Sequence, residues 1–392
     1  MTKKMFTVVM LSLLFIAGYG QTKWNYPTDT THYADKTRFQ NRRFYEVPLI
    51  VSPDICKHKK VKNVILMIGD GMGTSQIYAG VVANRGHLYL DNFPVAGFSE
   101  TFSSDNLITD SAAGGTALAT GHKTNNGMIS VTPDGKKVKT ILESAEEAGK
   151  ATGLVVTCKI THATPAVFIA HQPSRNMYEA IAADFLNTDI DVFIGGGLDN
   201  FLHRQDGRNL VQELKDKGYQ VVTSPDSLLL VNRDRKLAGL VDEGHLPPYA
   251  LGRGDYLEKA TALAIDMLSR DKDGFFLMVE GSQIDWGGHD NHTPYTVSEM
   301  LDFDRAIGKA LEFAARDGHT LVIVTADHET GGMSINGGDR NTGAVAARYT
   351  SGNHTAVMVP VFAWGPQAVL FGGIQDNTDV YKKMMKALAL PK

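Results

Sequence analysis

Cysteine is almost missing from this chain: its 392 residues include only Cys56 and Cys158. A disulfide framework is therefore excluded, and stability must come from a buried apolar core. Cys158 lies in an apolar, strand-like run, which favours a buried thiol over a bridge to Cys56. An excess of charge of one sign is missing too. Lys and Arg number 39 against 43 Asp and Glu, a net charge of -4, so the composition implies no nucleic-acid-binding domain and no attraction to an anionic membrane. The basic cluster at 57–62 reads as a solvated lead-in to the strand that follows. No apolar stretch is long enough to span a bilayer. The run from Phe6 to Ala17 instead follows Lys3 and Lys4 and ends in Gly18-Tyr19-Gly20, the layout of a secretory signal peptide. Export to the periplasm or the medium is expected, with cleavage near Gly20. No cysteine closely follows the apolar run, so no stable membrane anchor is expected.

Internal repeats and low-complexity segments are absent as well, and what remains is a regular alternation. Short continuous apolar runs, Val64 to Ile68, Leu154 to Thr157, Asp191 to Ile194, Phe275 to Val279 and Leu321 to Thr325, alternate with segments of helical spacing. Those segments include Val138 to Ala145, Met177 to Phe185, Leu257 to Leu268 and Tyr295 to Arg316. Strands buried on both faces and separated by helices imply an α/β fold with a mostly parallel central sheet. The expected organisation is a signal peptide at 1–20, an irregular N-terminal extension at 21–60 and a single domain at 61–392. Loop insertions are expected near 198–254 and 331–353, which are rich in Gly, Asn and Asp.

Open parallel sheets bind ligands beyond the carboxyl ends of their strands, and here those ends carry metal-type side chains repeatedly. Asp70 follows the first run, and His162 and Thr164 follow the second. Glu280, Asp285 and His289 follow the run through Val279, Asp327 and His328 follow Thr325, and His354 precedes the run at 357–363. Imidazole with carboxylate suits zinc, whereas carboxylate, hydroxyl and water suit magnesium. Asp285 and His289 can share one ion with His354, and Asp327 and His328 a second with Asp70. Asp70, Thr164 and Glu280 offer only oxygen. These spacings are permissive rather than diagnostic. Asp110-Ser111 precedes the small-residue run Ala112 to Gly115, so Ser111 sits where a helix start would hold a phosphate; the plainer reading is an N-cap. Arg175 can grip phosphate through two parallel hydrogen bonds or serve only as a surface ion pair. His171, His203 and His245 have no comparable company and read as structural or solvated.

Taken together, these segments resemble the alkaline phosphatases. The resemblance runs through VILMIGDGMG at 64–73, Ile108 to Thr116, HATPA at 162–166, SR at 174–175, VEGSQIDWGGH at 279–289, TADHETGG at 325–332 and His354, in the family's order. It implies a three-layer sandwich fold and hydrolysis of small-molecule phosphate monoesters at alkaline pH, with Ser111 as the nucleophile that becomes phosphoserine and Arg175 as the phosphate clamp. It also implies two zinc ions, one held by Asp285, His289 and His354 and one by Asp327, His328 and Asp70. Ser111 faces the metals, and magnesium sits with Asp70, Thr164 and Glu280. Asp110 would orient Arg175. His162 stands where the best-known bacterial pattern has Asp, and Trp286 where it has Lys, so the third ion is less firmly specified and His162 joins the candidate ligands. The stretch between His328 and His354 is short, which puts the family's usual homodimer interface in doubt.

Four rival readings stand against this one. A sulfatase would place its nucleophile in a C/S-x-P-x-R context, which Ala112-Ala113-Gly114 does not supply, and diesterases commonly use Thr. A non-catalytic phosphate- or zinc-binding protein would need the ligands but no poised hydroxyl. The Gly69 to Gly73 turn lacks dinucleotide-binding spacing and carries Asp70 where a phosphate would be repelled. If 1–20 is an export signal, N-terminal sequencing of protein recovered outside the cytoplasm will begin close after Gly20; an intact Met1 on exported protein contradicts this.

Overall fold

The structure is a computed structural model that describes residues 35–53 and 60–391. The expected signal peptide, the rest of the N-terminal extension and Cys56 lie outside the described residues. Ten strands form one sheet: β1 (Asn63–Gly69), β2 (Val95–Glu100), β3 (Ala151–Lys159), β4 (Val192–Gly196), β5 (Gln220–Val222), β6 (Leu237–Leu240), β7 (Phe275–Gly281), β8 (Thr320–Thr325), β9 (Val359–Trp364) and β10 (Gly373–Asp376). Their order is β10-β2-β9-β8-β1-β7-β3-β4-β6-β5, and only β9 runs against its neighbours.

Strands β1, β7 and β8 are buried along their whole length, as their unbroken apolar runs require. Alternate residues point to opposite faces. Val64, Leu66 and Ile68 join one core with Leu118, Ile141 and Met384, while Ile65 and Met67 join the other with Leu263, Met300 and Phe303. Helices Ser111–Thr120, Ile141–Glu147 and Asn377–Leu388 thus cover one face, and Tyr256–Leu268 and the long Thr293–Asp317 cover the other. Register then positions the chemistry. Ile68 is level with Glu280 on β7 and Thr325 on β8, and Val156 on β3 is level with Glu280. The residues that follow these strands therefore emerge at one rim.

The two segments expected to be loops contain strands. Within 198–254, β6 is fully buried between β4 and β5. A four-residue Leu-Ala-Gly-Leu run is too short to show a period, and its neighbours in the sheet rather than its own propensity hold it. Within 331–353, Met333–Asp339 and Ala344–Tyr349 pair antiparallel, with Arg38–Gln40 on the outer side, as a separate three-stranded sheet. Val345 and Ala347 anchor it in the core, but the Gly-rich strand opposite hides the alternation.

Arg253 ties the end of the first insertion to the long helix. Its guanidinium is buried against Glu299 and lies 2.9 Å from Asp302 Oδ2, and Arg305 reaches the other Asp302 oxygen at 3.2 Å. Removing one partner of a buried ion cluster strands the others. Arg253→Met should lower stability by about 3–5 kcal/mol, read as a lower urea midpoint; an unchanged midpoint contradicts this account of the insertion's anchorage.

Candidate active site

The helix Ser111–Thr120 begins at the rim of the sheet. Asp110 caps it, accepting from the Ala113 amide at 3.0 Å through Oδ1. Its other oxygen accepts from the Gly127 amide at 3.0 Å and from Arg175 Nη1 at 2.9 Å. One carboxylate thus fixes both the helix start and the guanidinium. Burial pushes the Asp110 pKa up, but Arg175 and the amides outweigh it and hold it below the ordinary value. The run of small residues has a steric cause: a Cβ at Gly114 would lie 2.7 Å from the Asp327 carbonyl oxygen. Only glycine lets the helix come this close to the end of β8, and Ser111 is thereby set with Oγ 3.2 Å from His328 Nε2.

Two of the expected ligand sets converge here. In the first, His289 and His354 lie with Nε2 3.4 and 3.5 Å from Asp285 Oδ1 and 3.1 Å from each other. In the second, His328 Nε2 is 3.5 Å from Asp70 Oδ1 and 3.3 Å from Asp327 Oδ2. The His328 and His354 rings stack with centroids 3.5 Å apart and so join the sets. Gly71, at φ +73°, permits the turn after β1 to press against Asp285, where a Cβ would meet the backbone at 2.7 Å.

Hydrogen bonds on the far side of each ring fix the tautomers. His289 Nδ1 is 2.8 Å from the Gly352 carbonyl, and His354 Nδ1 is 2.9 Å from the Thr109 carbonyl. A carbonyl only accepts, so each Nδ1 carries the proton and each Nε2 presents a lone pair. Thr330 Oγ1 donates to Asp285 and stands 3.2 Å from His328 Nδ1, which makes that nitrogen a donor as well. Three lone pairs thus face carboxylate oxygens. Asp70 Oδ1 and Oδ2 and Asp327 Oδ2 are buried and have no hydrogen-bond partner among the described residues. Metal–nitrogen bonds of about 2.0–2.1 Å at tetrahedral angles place ligand atoms roughly 3.3 Å apart, which matches the spacings above. The residues present fit divalent cations.

Electrostatics agree. Burial, followed by Asp285 and Glu280, pushes Asp327 up to about 8. Burial, then Asp327, Asp285 and Glu280, raises Asp70 well above its ordinary value. Glu280 is pushed up to about 7 by burial. Asp285 is held down instead, because His289, His354 and His328 outweigh its burial. His328 is pushed down by burial and then by His354, and His354 by burial, so both rings stay neutral and able to bind metal.

A third set forms beside these. One ligand atom each from Cys158, His162 and Glu280 lies within 4.8 Å of the others. Thr164 Oγ1 has no hydrogen-bond partner among the described residues, yet it is close enough to offset part of the rise that burial imposes on Glu280. Arg175 Nη2 is 3.3 Å from His162 Nε2. A cavity of about 360 Å³ opens over Ser111, Arg175, His162, Asp285, Trp286 and His354.

His171 pairs with Glu143 at 3.0 Å and His203 with Asp199 at 2.7 Å, both away from the cavity. His245 corrects its expected isolation. Its ring packs edge-on against Trp286 at 4.7 Å and His162 at 5.7 Å, forming the wall behind the cavity. Its Nδ1 accepts from the Lys159 amide at 3.1 Å, and burial pushes its pKa down to about 3. No spacing in the sequence connects His245 to Trp286, and only the fold of the 198–254 insertion returns it to the rim.

A family model described as alkaline phosphatase matches residues 61–348 and 341–390. Alkaline phosphatase 4 of Bacillus subtilis is 39% identical over 418 residues, covering 85% of this chain and 90% of that protein. The chain belongs to the alkaline phosphatase family. Among solved structures, the alkaline phosphatase of the Antarctic bacterium TAB5 matches with a TM-score of 0.82 at 42% identity, covering 85% of this chain and 100% of that one. A variant of that alkaline phosphatase with magnesium bound in its M3 site matches with a TM-score of 0.80 at 41% identity, covering 85% and 99%. The chain is a metal-binding hydrolase of phosphate monoesters, on the mostly parallel α/β fold of alkaline phosphatases.

Removal of metal has a pH signature. Asp327 keeps its proton in the folded, metal-free protein up to about 8, against 3.8 as its ordinary value. Its contribution to stability is therefore present at low pH and lost as pH rises through about 8. The buried histidines act in the opposite sense and matter below 6.5, their ordinary value. Chelated protein should lose melting temperature as pH rises from about 6.5 to about 8, and divalent cations should restore more of it at the upper end. A metal effect that is constant across that window contradicts the crowding of carboxylates.

Proposed function

We propose that Ser111 is the nucleophile of this hydrolase and becomes phosphoserine during turnover. The observation that carries the reading is its placement: Oγ is 3.2 Å from His328 Nε2, at a helix start, beside two cation-shaped ligand sets. Asp285, His289 and His354 would hold one zinc ion and Asp70, Asp327 and His328 the other. Asp70, Thr164 and Glu280 would offer oxygen to magnesium, with His162 alongside. When bound, the ions supply positive charge that favours the Ser111 alkoxide and the departing alcohol oxygen.

The chain's own groups do the rest. Ser111 Oγ forms a bond to phosphorus as the ester P–O bond breaks and the alcohol leaves. Water then opens the phosphoserine, releasing inorganic phosphate and restoring the hydroxyl. Arg175, held by Asp110, and the amides at the helix start grip the non-bridging oxygens in both steps. Trp286, backed by His245, closes the side where a lysine would otherwise reach the phosphate. The N-terminal segment fits export, so the substrates would be monoesters outside the cytoplasm.

A chromogenic monoester assay with zinc and magnesium, paired with acid quenching on labelled substrate, tests the reading. Ser111→Ala should keep phosphate binding and lose the labelled protein; label on another residue overturns the assignment. Arg175→Ala forfeits charged hydrogen bonds of about 1.5–3 kcal/mol, so its KM should rise roughly tenfold to a hundredfold. An unchanged KM contradicts the clamp.

A further inference from the structure

Glu280 presents its two carboxylate oxygens to different neighbours. Oε2 accepts from Ser282 Oγ at 2.7 Å and from Cys158 Sγ at 3.4 Å, whereas the buried Oε1 has no hydrogen-bond partner among the described residues. Cys158 and Glu280 are both fully buried, and His162 completes a group whose ligand atoms lie within 4.8 Å of one another. We propose that Cys158, His162 and Glu280 form a thiolate-bearing mode of the third metal position, which takes zinc or another borderline-soft divalent ion as an alternative to magnesium. The inference rests on the reading of this centre as a metal site.

The donor set argues for it. Magnesium selects oxygen and dehydrates reluctantly, while thiolate and imidazole select zinc and cobalt. Zinc–sulfur and zinc–oxygen bonds of about 2.3 and 2.1 Å at a tetrahedral angle put the two ligand atoms roughly 3.6 Å apart. The 3.4 Å between Cys158 Sγ and Glu280 Oε2 is close to that. The Cys158 thiol has two acceptors in reach, the Lys159 carbonyl at 3.2 Å and Glu280 Oε2 at 3.4 Å, and Glu280 belongs with it to the group that includes His162. On coordination the S–H bond breaks, a metal–sulfur bond forms and the proton leaves to solvent. Both modes need Glu280: the Cys158 side would take zinc and the Thr164 side magnesium, so the two ions exclude each other.

Titration of metal-free, full-length protein with cobalt(II) tests this. The two Asp/His sets contain no sulfur, so their ligand-field bands report whether the centre binds metal at all. A near-ultraviolet thiolate-to-cobalt band reports Cys158. The band should grow with the last equivalent bound, fall on adding excess magnesium, persist in Cys56→Ser and vanish in both Cys158→Ala and Cys158→Ser. Either Cys158 variant suffices if the other does not fold. Ligand-field bands without the sulfur band, or a sulfur band that survives loss of Cys158, overturn the proposal while leaving the metal reading intact. Loss of every cobalt band in the wild type overturns both.

Discussion

Three imidazoles turn their Nε2 lone pairs toward buried carboxylates, and this one confrontation governs the rest of the molecule. His289, His354 and His328 each direct Nδ1 outward to a carbonyl or hydroxyl. What remains on the inner side is a crowd of acceptors, and Asp70 and Asp327 add oxygens that have no hydrogen-bond partner among the described residues. Without cations such a group is costly in a low dielectric. With cations the same crowding becomes binding energy and a preorganised field for a transferring phosphoryl group.

The fold holds this confrontation rigidly. Register levels β1, β7 and β8 so that Asp70, Glu280 and Asp327 issue from the same rim. The Ser111 helix is brought to that rim by glycine at 114, which touches the Asp327 backbone, and by Asp110, which also holds Arg175. A helix start thus positions Ser111, strand ends position Asp70, Glu280 and Asp327, a short helix carries Asp285 and His289, and Asp110 holds Arg175 on its turn. This arrangement suits chemistry that depends on tenths of an ångström.

Much of this was legible in the order of residues, for a physical reason. Strands buried on both faces must be continuous apolar runs, so β1, β3, β7 and β8 announce themselves, and the polar residues after each run mark the rim where ligands gather. Elements whose stability comes from neighbours are silent. β6 has four residues and no period, and the 333–349 hairpin is masked by its glycines. The same limit hides His245, whose role depends on the return of an insertion to the site. Cys158 reads correctly as a buried thiol, but only the pairing of β3 with β7 puts it against Glu280.

The central claim is that Ser111 stands between two cation sites and takes phosphorus in line. A crystal structure of the zinc-loaded protein with vanadate, with anomalous scattering recorded at the zinc edge, addresses it most directly. The account predicts vanadium against Ser111 Oγ, Arg175 on its equatorial oxygens, and zinc peaks among Asp285, His289 and His354 and among Asp70, Asp327 and His328. Vanadate seated away from Ser111, or zinc outside those two sets, would contradict it.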